Sequence, residues 1–180
     1  NVPTWTTGKI GGALQFDGLN DSIQIPDSTS LDLRAITVSL WIKKLSTITD
    51  WNTFMGRQSG TGTGDLWFLG YGDITSDNYV ASGGTGGTLY RNGVAISSNT
   101  VSSNPDLNIW VHLAFTGTGI LAETSSVCIG AGANDATRNC NSELTNAVVD
   151  DVRIYNRALT LAEIQQLANA TPPETIPPNV

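Results

Sequence analysis

Short runs of alternating hydrophobic and polar residues cover most of the chain, and glycine-containing segments separate them. In the clearest run, 36–43, Val38, Leu40 and Ile42 occupy every second position. A period of two residues is typical of a β-strand, because successive side chains point to opposite faces. Weaker runs predict further strands over 13–16, 23–25, 51–57, 65–71, 79–81, 109–116 and 126–130.

One pair of short runs is predicted to form a hairpin. Residues 88–91 and 94–96 flank the dipeptide Asn92-Gly93. Asparagine and glycine both tolerate the positive φ that a type I′ turn requires at its two central positions. The glycine-containing segment 82–87, just before this hairpin, is predicted to be a turn.

The last run, 148–155, places a carboxylate among hydrophobic residues. Regular alternation would put Val148, Asp150, Val152 and Ile154 on one face of a strand. A carboxylate on an apolar face needs a partner, because burying an unpaired charge is very costly. We therefore expect Asp150 to have a specific partner.

A short helix is predicted after this strand. Thr160 and Glu163 have the spacing of a capping box, in which each side chain bonds the other residue's backbone N–H. Leu161, Ile164 and Leu167 then recur on one face, with Ala168 beside them. We expect this helix to cover an open end of the sheets.

Composition supports an all-β fold. The 180 residues include 19 glycines, and only 14% are charged, which suits short strands joined by tight turns. The predicted fold class is a two-sheet antiparallel jelly-roll β-sandwich with one short C-terminal helix. The net charge of −7 argues against binding nucleic acid or an anionic membrane surface. No run approaches the ~20 apolar residues of a membrane span.

The chain is predicted to be one module of a longer exported protein. Residues 1–170 form the module, and 171–180 form a linker that contains four of the seven prolines. Proline-rich segments of this kind are stiff and extended. The expected localisation is extracellular or at the cell surface.

Two cysteines, Cys128 and Cys140, flank a segment rich in glycine, alanine and asparagine. They either form a disulfide that closes this segment or remain two free thiols. The features of an exported module favour the disulfide, which would contribute about 3 kcal/mol if unstrained. Two cysteines and one histidine do not suit a zinc site.

Seven stretches spread along the chain carry motifs of a known fold. They are GGALQFDGLND at 11–21, IPDS at 25–28, SL at 30–31, TVSLWIK at 37–43, LYRNG at 89–93, WVHLA at 110–114 and the segment 150–159. Together these motifs resemble laminin-G-like domains of the concanavalin A-like lectin/glucanase superfamily. The resemblance covers nearly all of the predicted module.

The resemblance implies a structural calcium ion between the first turn and the last strand. Its ligands would be Asp17, Asn20, Asp21 and Asp150, because calcium prefers carboxylate, amide and carbonyl oxygens. The alternative is that Asp17 and Asp21 only form the turn and that Asp150 accepts backbone N–H groups. The resemblance also places His112 on a core strand, packed and hydrogen-bonded.

Catalysis is not expected. Glycoside hydrolases need two carboxylates that flank the scissile bond. The glutamates of this chain, Glu123, Glu143, Glu163 and Glu174, show no such arrangement: Glu163 is assigned to the helix cap, Glu174 to the linker, and the other two are far apart. Asp pairs with suitable spacing are also missing from the sequence.

The most favoured function is carbohydrate binding. Aromatic rings offer apolar faces to sugars, while acidic and basic side chains bond hydroxyl groups. Aromatic and charged residues beside the polar loops of the middle region are the ligand candidates: Trp51, Arg57, Trp67, Tyr71 and Asp73, with Tyr90 as a further aromatic. The alternative for these aromatic residues is that they fill the second side of the sandwich. The alternative function is an adhesion or structural module that acts through protein–protein contacts.

Overall fold

A computed structural model describes residues 1–47, 51–58, 65–72, 78–96, 106–119, 124–133 and 139–171. The strands within these ranges are β1 (Thr4–Thr7), β2 (Gly12–Asp17), β3 (Ile23–Ile25), β4 (Ala35–Lys44), β5 (Asn52–Gln58), β6 (Asp65–Tyr71), β7 (Tyr79–Gly83), β8 (Thr85–Arg91), β9 (Val94–Ile96), β10 (Val111–Thr118), β11 (Val127–Ile129), β12 (Gly132–Ala133), β13 (Cys140–Ser142) and β14 (Asn146–Tyr155). A 3₁₀ turn spans Thr29–Leu31, and the helix α1 spans Leu161–Ala168.

These strands form two main antiparallel sheets. Within the described residues, the large sheet has the order β1-β2-β14-β4-β10-β8-β9, and the small sheet has the order β3-β11-β5-β6-β7. The short strands β12 and β13 pair with each other beside them. The predicted all-β sandwich is confirmed.

The main hydrophobic core lies between the two sheets. The alternation in β4 places Val38, Leu40 and Ile42 in this core, where each is at most 1% exposed. Phe16 and Phe54 come from opposite sheets and are both fully buried in it. Burial of apolar side chains at about 25 cal/mol per Å² drives the two sheets together.

The predicted hairpin is confirmed. Asn92 and Gly93 have φ values of 50° and 77°, and β8 pairs with β9 across them. The turn predicted over 82–87 is mostly strand: β7 extends to Gly83 and β8 begins at Thr85. Gly84, with a positive φ of 62°, is the single residue between β7 of the small sheet and β8 of the large sheet.

The strand β14 contains a bulge that the sequence pattern did not predict. Asp150 pairs with Trp41, but Arg153 pairs with Ser39, so β14 has one residue more than β4 here. Asp151 takes a φ of 47° at this point. Val149 is therefore inside, whereas Asp150 faces the outside of the large sheet, and Val152 and Ile154 return to the core side. The prediction that Asp150, Val152 and Ile154 share a face is wrong, because one extra residue reverses the alternation.

The helix α1 begins as predicted and lies elsewhere than expected. Its capping box is complete, with both the Thr160 and the Glu163 side chains bonded to the other residue's backbone. Ile164 is fully buried against Ala114 of β10 and Leu159. These contacts place α1 on the outer face of the large sheet, so the expectation that it covers an open end of the sandwich is wrong.

The disulfide between Cys128 and Cys140 is confirmed. It forms a small buried cluster with Ala131, against which Leu144 packs. The disulfide therefore ties β11 to the segment that leads into β14. The linker predicted at 171–180 lies almost wholly outside the described residues and stays a prediction. Across the described ranges, helices are all too short or too polar to span a membrane.

Candidate functional site

A cleft of about 220 Å³ opens at one end of the sandwich. It lies where β2 and β4 end and where β5 and β14 begin. Its described lining consists of Asp17, Gly18, Leu19, Ser46, Thr47, Asn52, Leu144 and Asn146. Most of these side chains carry hydrogen-bonding groups, so the cleft is suited to a polar ligand.

Backbone pairing joins two walls of the cleft. Asn146, the first residue of β14, pairs with Asp17, the last residue of β2. Gly18 follows with a φ of 74°, and a Cβ at this position would lie 2.8 Å from the Cβ of Asn146. Only glycine therefore allows the turn to pack so closely on Asn146. The backbone N–H of Leu45 donates to the carbonyl of Asn146 at 3.0 Å and fixes the β4 wall.

The remaining wall is held by Thr53. Its N–H donates to the carbonyl of Glu143 at 3.0 Å, and its hydroxyl donates to the Glu143 carboxylate. The hydroxyl of Thr145 donates to the carbonyl of Thr53 at 3.1 Å. Together with the disulfide cluster under Leu144, these bonds fix the segment that carries Leu144 and Asn146.

Asp17 carries the charge of the cleft lining. Its Oδ1 accepts hydrogen bonds from the N–H groups of Leu19 at 2.8 Å and Asn20 at 3.2 Å. These backbone donors, Leu19 first, hold the pKa of the Asp17 carboxyl below its usual value. The side chain is exposed, and both bonds end on Oδ1. Its Oδ2 therefore remains available to accept bonds from a ligand.

Trp51 is next in sequence to the cleft lining. It is 43% exposed, and it directly precedes Asn52 of the lining. The Asn52 amide donates to the Trp51 carbonyl at 2.8 Å, and the indole packs edge-to-face against Phe68 with ring centroids 6.3 Å apart. A half-exposed indole is a suitable platform for a sugar ring.

Three other predicted ligand residues are buried, and the prediction is wrong for them. Trp67 and Tyr71 are 2% and 1% exposed and belong to the main core. Arg57 is 1% exposed, and its guanidinium donates to the carbonyls of Leu31 and Ser125 and pairs with Asp27 at 2.6 Å. These side chains face inward from β5 and β6, so they stabilise the fold instead of offering a surface.

The structure places neither of the last two candidates of this set in the described cleft lining. Asp73 falls outside the described residues. Tyr90 is partly buried in the cluster beneath α1. Among the described members of the predicted set, Trp51 is the one that is largely exposed and next in sequence to the cleft lining.

Asp150 lies far from the first turn. It is 5% exposed, its Oδ2 accepts from the N–H of Ile10 at 2.7 Å, and its Oδ1 accepts from the N–H of Asp151 at 2.7 Å. Asn146 pairs with Asp17, and four further residues of strand, about 13 Å, separate Asp150 from that pair. The prediction that Asp150 shares one calcium ion with Asp17, Asn20 and Asp21 is wrong.

The first turn by itself already uses several of its oxygens. Asp21 is buried and accepts from the N–H of Asp17 through Oδ2. The Asn20 side-chain oxygen accepts from the Asn1 amide at 2.8 Å. In the part of the chain that the structure describes, three or more His, Cys, Asp or Glu side chains nowhere gather as a metal site would require. The residues thus do not fit the predicted four-ligand set, and calcium at the turn alone stays a prediction.

His112 lies on β10 and is 1% exposed, as predicted for a packed residue. It faces the outside of the large sheet, where its ring meets that of Trp41 edge-on at 5.3 Å. Burial first, and then the charge of Arg153, lower the pKa of His112 to about 4. Its Nδ1 and the Trp41 Nε1 are buried and have no hydrogen-bond partner among the described residues, so the expected bonding is missing at Nδ1.

Asn52, Leu144 and Asn146 were not identified from the sequence. The contribution of Asn146 depends on its pairing with Asp17, and no local pattern encodes such a distant register. Leu144 depends on the disulfide cluster. Asn52 had one available signal, its position beside Trp51 at a strand start.

Comparison with solved structures shows the fold. Domain 4 of an extracellular arabinanase from Geobacillus stearothermophilus, in complex with arabinotriose, is 21% identical with a TM-score of 0.58, and the match covers 94% of this chain and 82% of that one. The binding domain of Paraclostridial Mosquitocidal Protein 1 is 16% identical with a TM-score of 0.61, covering 94% and 46%. Trypanosoma rangeli sialidase in complex with the inhibitor DANA is 16% identical with a TM-score of 0.60, covering 93% and 28%.

The chain spans less than a third of the sialidase chain and less than half of the mosquitocidal-protein chain. No curated protein sequence matches it. A laminin G family model, described as the concanavalin A-like lectin/glucanases superfamily, matches residues 16–129. This match covers more than half of the sequence and includes β4, the hairpin and β10. The chain therefore belongs to the concanavalin A-like lectin/glucanases superfamily.

Proposed function

We propose that this domain is a non-catalytic carbohydrate-binding module and that its cleft holds the sugar. The observation that carries the proposal is the 43% exposure of Trp51, which directly precedes Asn52 of a cleft lining that holds a carboxylate and two amides. Sugars are bound by such a combination, because the ring stacks while polar groups bond the hydroxyls. The arabinotriose complex of a neighbour in fold supports this ligand class.

The cleft chemistry also supports a binding role over a catalytic one. Retaining and inverting glycosidases each place two carboxyl groups at fixed separations about the scissile bond. Within its described lining, the cleft has a single carboxylate, that of Asp17. The disulfide supports an extracellular or surface location, because such bonds persist in oxidising compartments.

The experiment is affinity electrophoresis in gels containing arabinan, xylan, galactan, mannan or β-glucan, followed by titration calorimetry with oligosaccharides of the polymer that retards the domain. Trp51→Ala should weaken binding about fivefold or more, because it removes the stacking platform. Trp5→Ala is the matched control, since Trp5 is 78% exposed and lies on the edge strand β1 instead of next to a residue of the cleft lining. Equal binding by the Trp51→Ala variant and the wild type would contradict the assignment of the cleft.

Adhesion through protein contacts is the second candidate. The observation that favours it is the 78% exposure of Trp5 on the edge strand β1 of the large sheet, with Val2, 82% exposed, just before this strand. Edge strands can pair with a partner's backbone. If no polysaccharide is retained and Trp5→Ala abolishes binding to a protein partner, the adhesion function replaces the lectin function.

Calcium remains part of the proposal only at the first turn. Melting of the domain with and without a chelator tests it, using protein whose metal content is verified by elemental analysis. An unchanged melting temperature on removal of calcium contradicts a structural ion.

A further inference from the structure

The charge of the cleft is one-sided. Among the described residues that line the cleft, Asp17 is the charged one, and its carboxylate is exposed. Both hydrogen bonds that it accepts come from neutral backbone N–H groups, those of Leu19 and Asn20. The negative charge is therefore not compensated by a side chain in the lining.

The sequence of the segments around the cleft extends this observation. Segments 17–33, 45–56 and 139–152 contain no lysine, arginine or histidine, and they contain several acidic residues. The two lysines just before Leu45 are engaged with rings: the Lys43 ammonium lies 5.2 Å from the centre of the Trp110 ring, and that of Lys44 lies 3.8 Å from the Tyr71 ring and is buried. Among the described residues of the cleft lining, a ligand thus meets a carboxylate and amides.

Neutral and acidic glycans need different groups in a binding site. Neutral oligosaccharides offer hydroxyl groups, which donate to a carboxylate in charge-assisted hydrogen bonds. Uronic and sialic acids carry carboxylates of their own, which need a cationic partner such as arginine. Placing such a group beside Asp17 brings two like charges together, and repulsion of this kind is a common source of specificity.

We propose that the cleft takes neutral oligosaccharides and excludes acidic ones, and that Asp17 determines this preference. This inference rests on the proposed carbohydrate-binding function and names the substrate class of the same site. Two unit charges about 4 Å apart at the water-exposed surface repel by an amount that corresponds to about a fivefold loss of affinity. The lowered pKa of Asp17 keeps its charge in place at neutral and mildly acidic pH.

The test compares polymers that share a backbone and differ in charge. The neutral polysaccharide that retards the wild type in the gel series is compared with a lightly carboxymethylated preparation of the same polymer, and polygalacturonate, alginate and polysialic acid are run beside them. The wild type should bind the carboxymethylated form at least about fivefold more weakly. High salt should reduce this difference, because salt screens exposed charges.

Asp17→Asn tests the residue itself. Asparagine keeps the Oδ1 that accepts from Leu19 and Asn20, so the turn is preserved while the charge is lost. The ratio of neutral to carboxymethylated binding should fall to about twofold or less. Asp151→Asn is the matched control, because it removes one negative charge on the outer face, and asparagine tolerates the φ of 47° found there. This control should keep the wild-type ratio.

The outcomes separate the two proposals. Retention of an acidic polymer as strong as that of its neutral counterpart overturns the inference and leaves the carbohydrate function standing. The inference is also overturned, with the carbohydrate function still standing, if Asp17→Asn does not change the ratio of neutral to carboxymethylated binding. An equal change of this ratio in Asp151→Asn has the same meaning. Retention of no polysaccharide at all contradicts the carbohydrate-binding function, and the inference fails with it.

Discussion

Two aspartates on neighbouring strands of the large sheet differ in almost every physical respect. Asp17 ends β2 at the cleft and is exposed, whereas Asp150 lies within β14 and is 5% exposed. Both accept two backbone N–H groups, but Asp17 receives them on one oxygen and Asp150 uses both of its oxygens. A carboxylate with both oxygens occupied and buried serves the fold, whereas one with an exposed free oxygen is available to a ligand.

The largest expected effect comes from removing the buried member of this pair. Asp150→Ala leaves the N–H groups of Ile10 and Asp151 without their acceptor, and we expect a loss of about 4 kcal/mol in the free energy of unfolding. Asp17→Ala should cost far less, because water replaces its bonds at the surface. Urea denaturation of both variants measures the difference. Equal losses would contradict the division between a structural and a ligand-binding aspartate.

The disulfide tests how far the cleft depends on its support. Replacing Cys128 and Cys140 together by serine should lower the free energy of unfolding by about 3 kcal/mol, because the 12-residue separation is no longer closed in the unfolded chain. Sugar binding should weaken as well, because Leu144, which lines the cleft, packs on this disulfide. Unfolding curves and gel retardation are the two measurements. Undiminished retention in a destabilised but folded variant would show that the cleft wall stands without the disulfide.

The outer face should respond to pH, and the cleft should not. In the folded protein the pKa of His112 is about 4, below the ~6.5 of an unfolded chain. Between these values the unfolded state binds more protons, so stability is full above about pH 6.5 and falls as the pH drops towards 4. We expect a loss of about 2 kcal/mol between pH 7 and pH 5. His112→Gln should remove most of this slope, and a slope that persists in that variant would assign it to other groups.

The smallest expected effect concerns the helix on the outer face. Thr160→Ala removes the capping bond to the Glu163 N–H and should cost about 1 kcal/mol. Because α1 packs on β10 and not at the cleft, polysaccharide retention should be unchanged while the melting temperature falls. A parallel loss of binding would indicate that the outer face and the cleft are coupled.

The sequence alone was sufficient where structure is local. The alternation of β4, the turn at Asn92-Gly93 and the capping box at Thr160 each depend on neighbouring residues, and each was predicted correctly. Failures occurred where the deciding contact is distant. Trp67 and Tyr71 adjoin polar segments in the sequence, yet both fill the core between the sheets.

In the candidate site, too, local features could be predicted from the sequence and distant contacts could not. Trp51 was predicted as a sugar ligand because aromatic residues can be recognised one by one, whereas Asp17 was predicted only as a calcium ligand in the first turn. Their association with Asn146 depends on the register of β2 against β14, and that register joins segments from opposite ends of the chain. The predicted partner Asp150 failed for a related reason, since its face depends on a bulge with no local signature in the sequence.

The bulge at Asp151 changes which residues of β14 face the core. Val149 and Val152 both face the core side although an odd number of steps separates them, so the strand consists of two segments of opposite phase. The first segment pairs with β2 at the cleft, and the second turns Tyr155 towards α1. Deletion of Asp151 would remove the bulge and keep every hydrophobic side chain of β14 on its present side of the sheet. If Asp151 were kept and β14 paired without a bulge, Arg153 would point into the core. The strand should thus tolerate deletion of Asp151 better than regular pairing of the full-length strand.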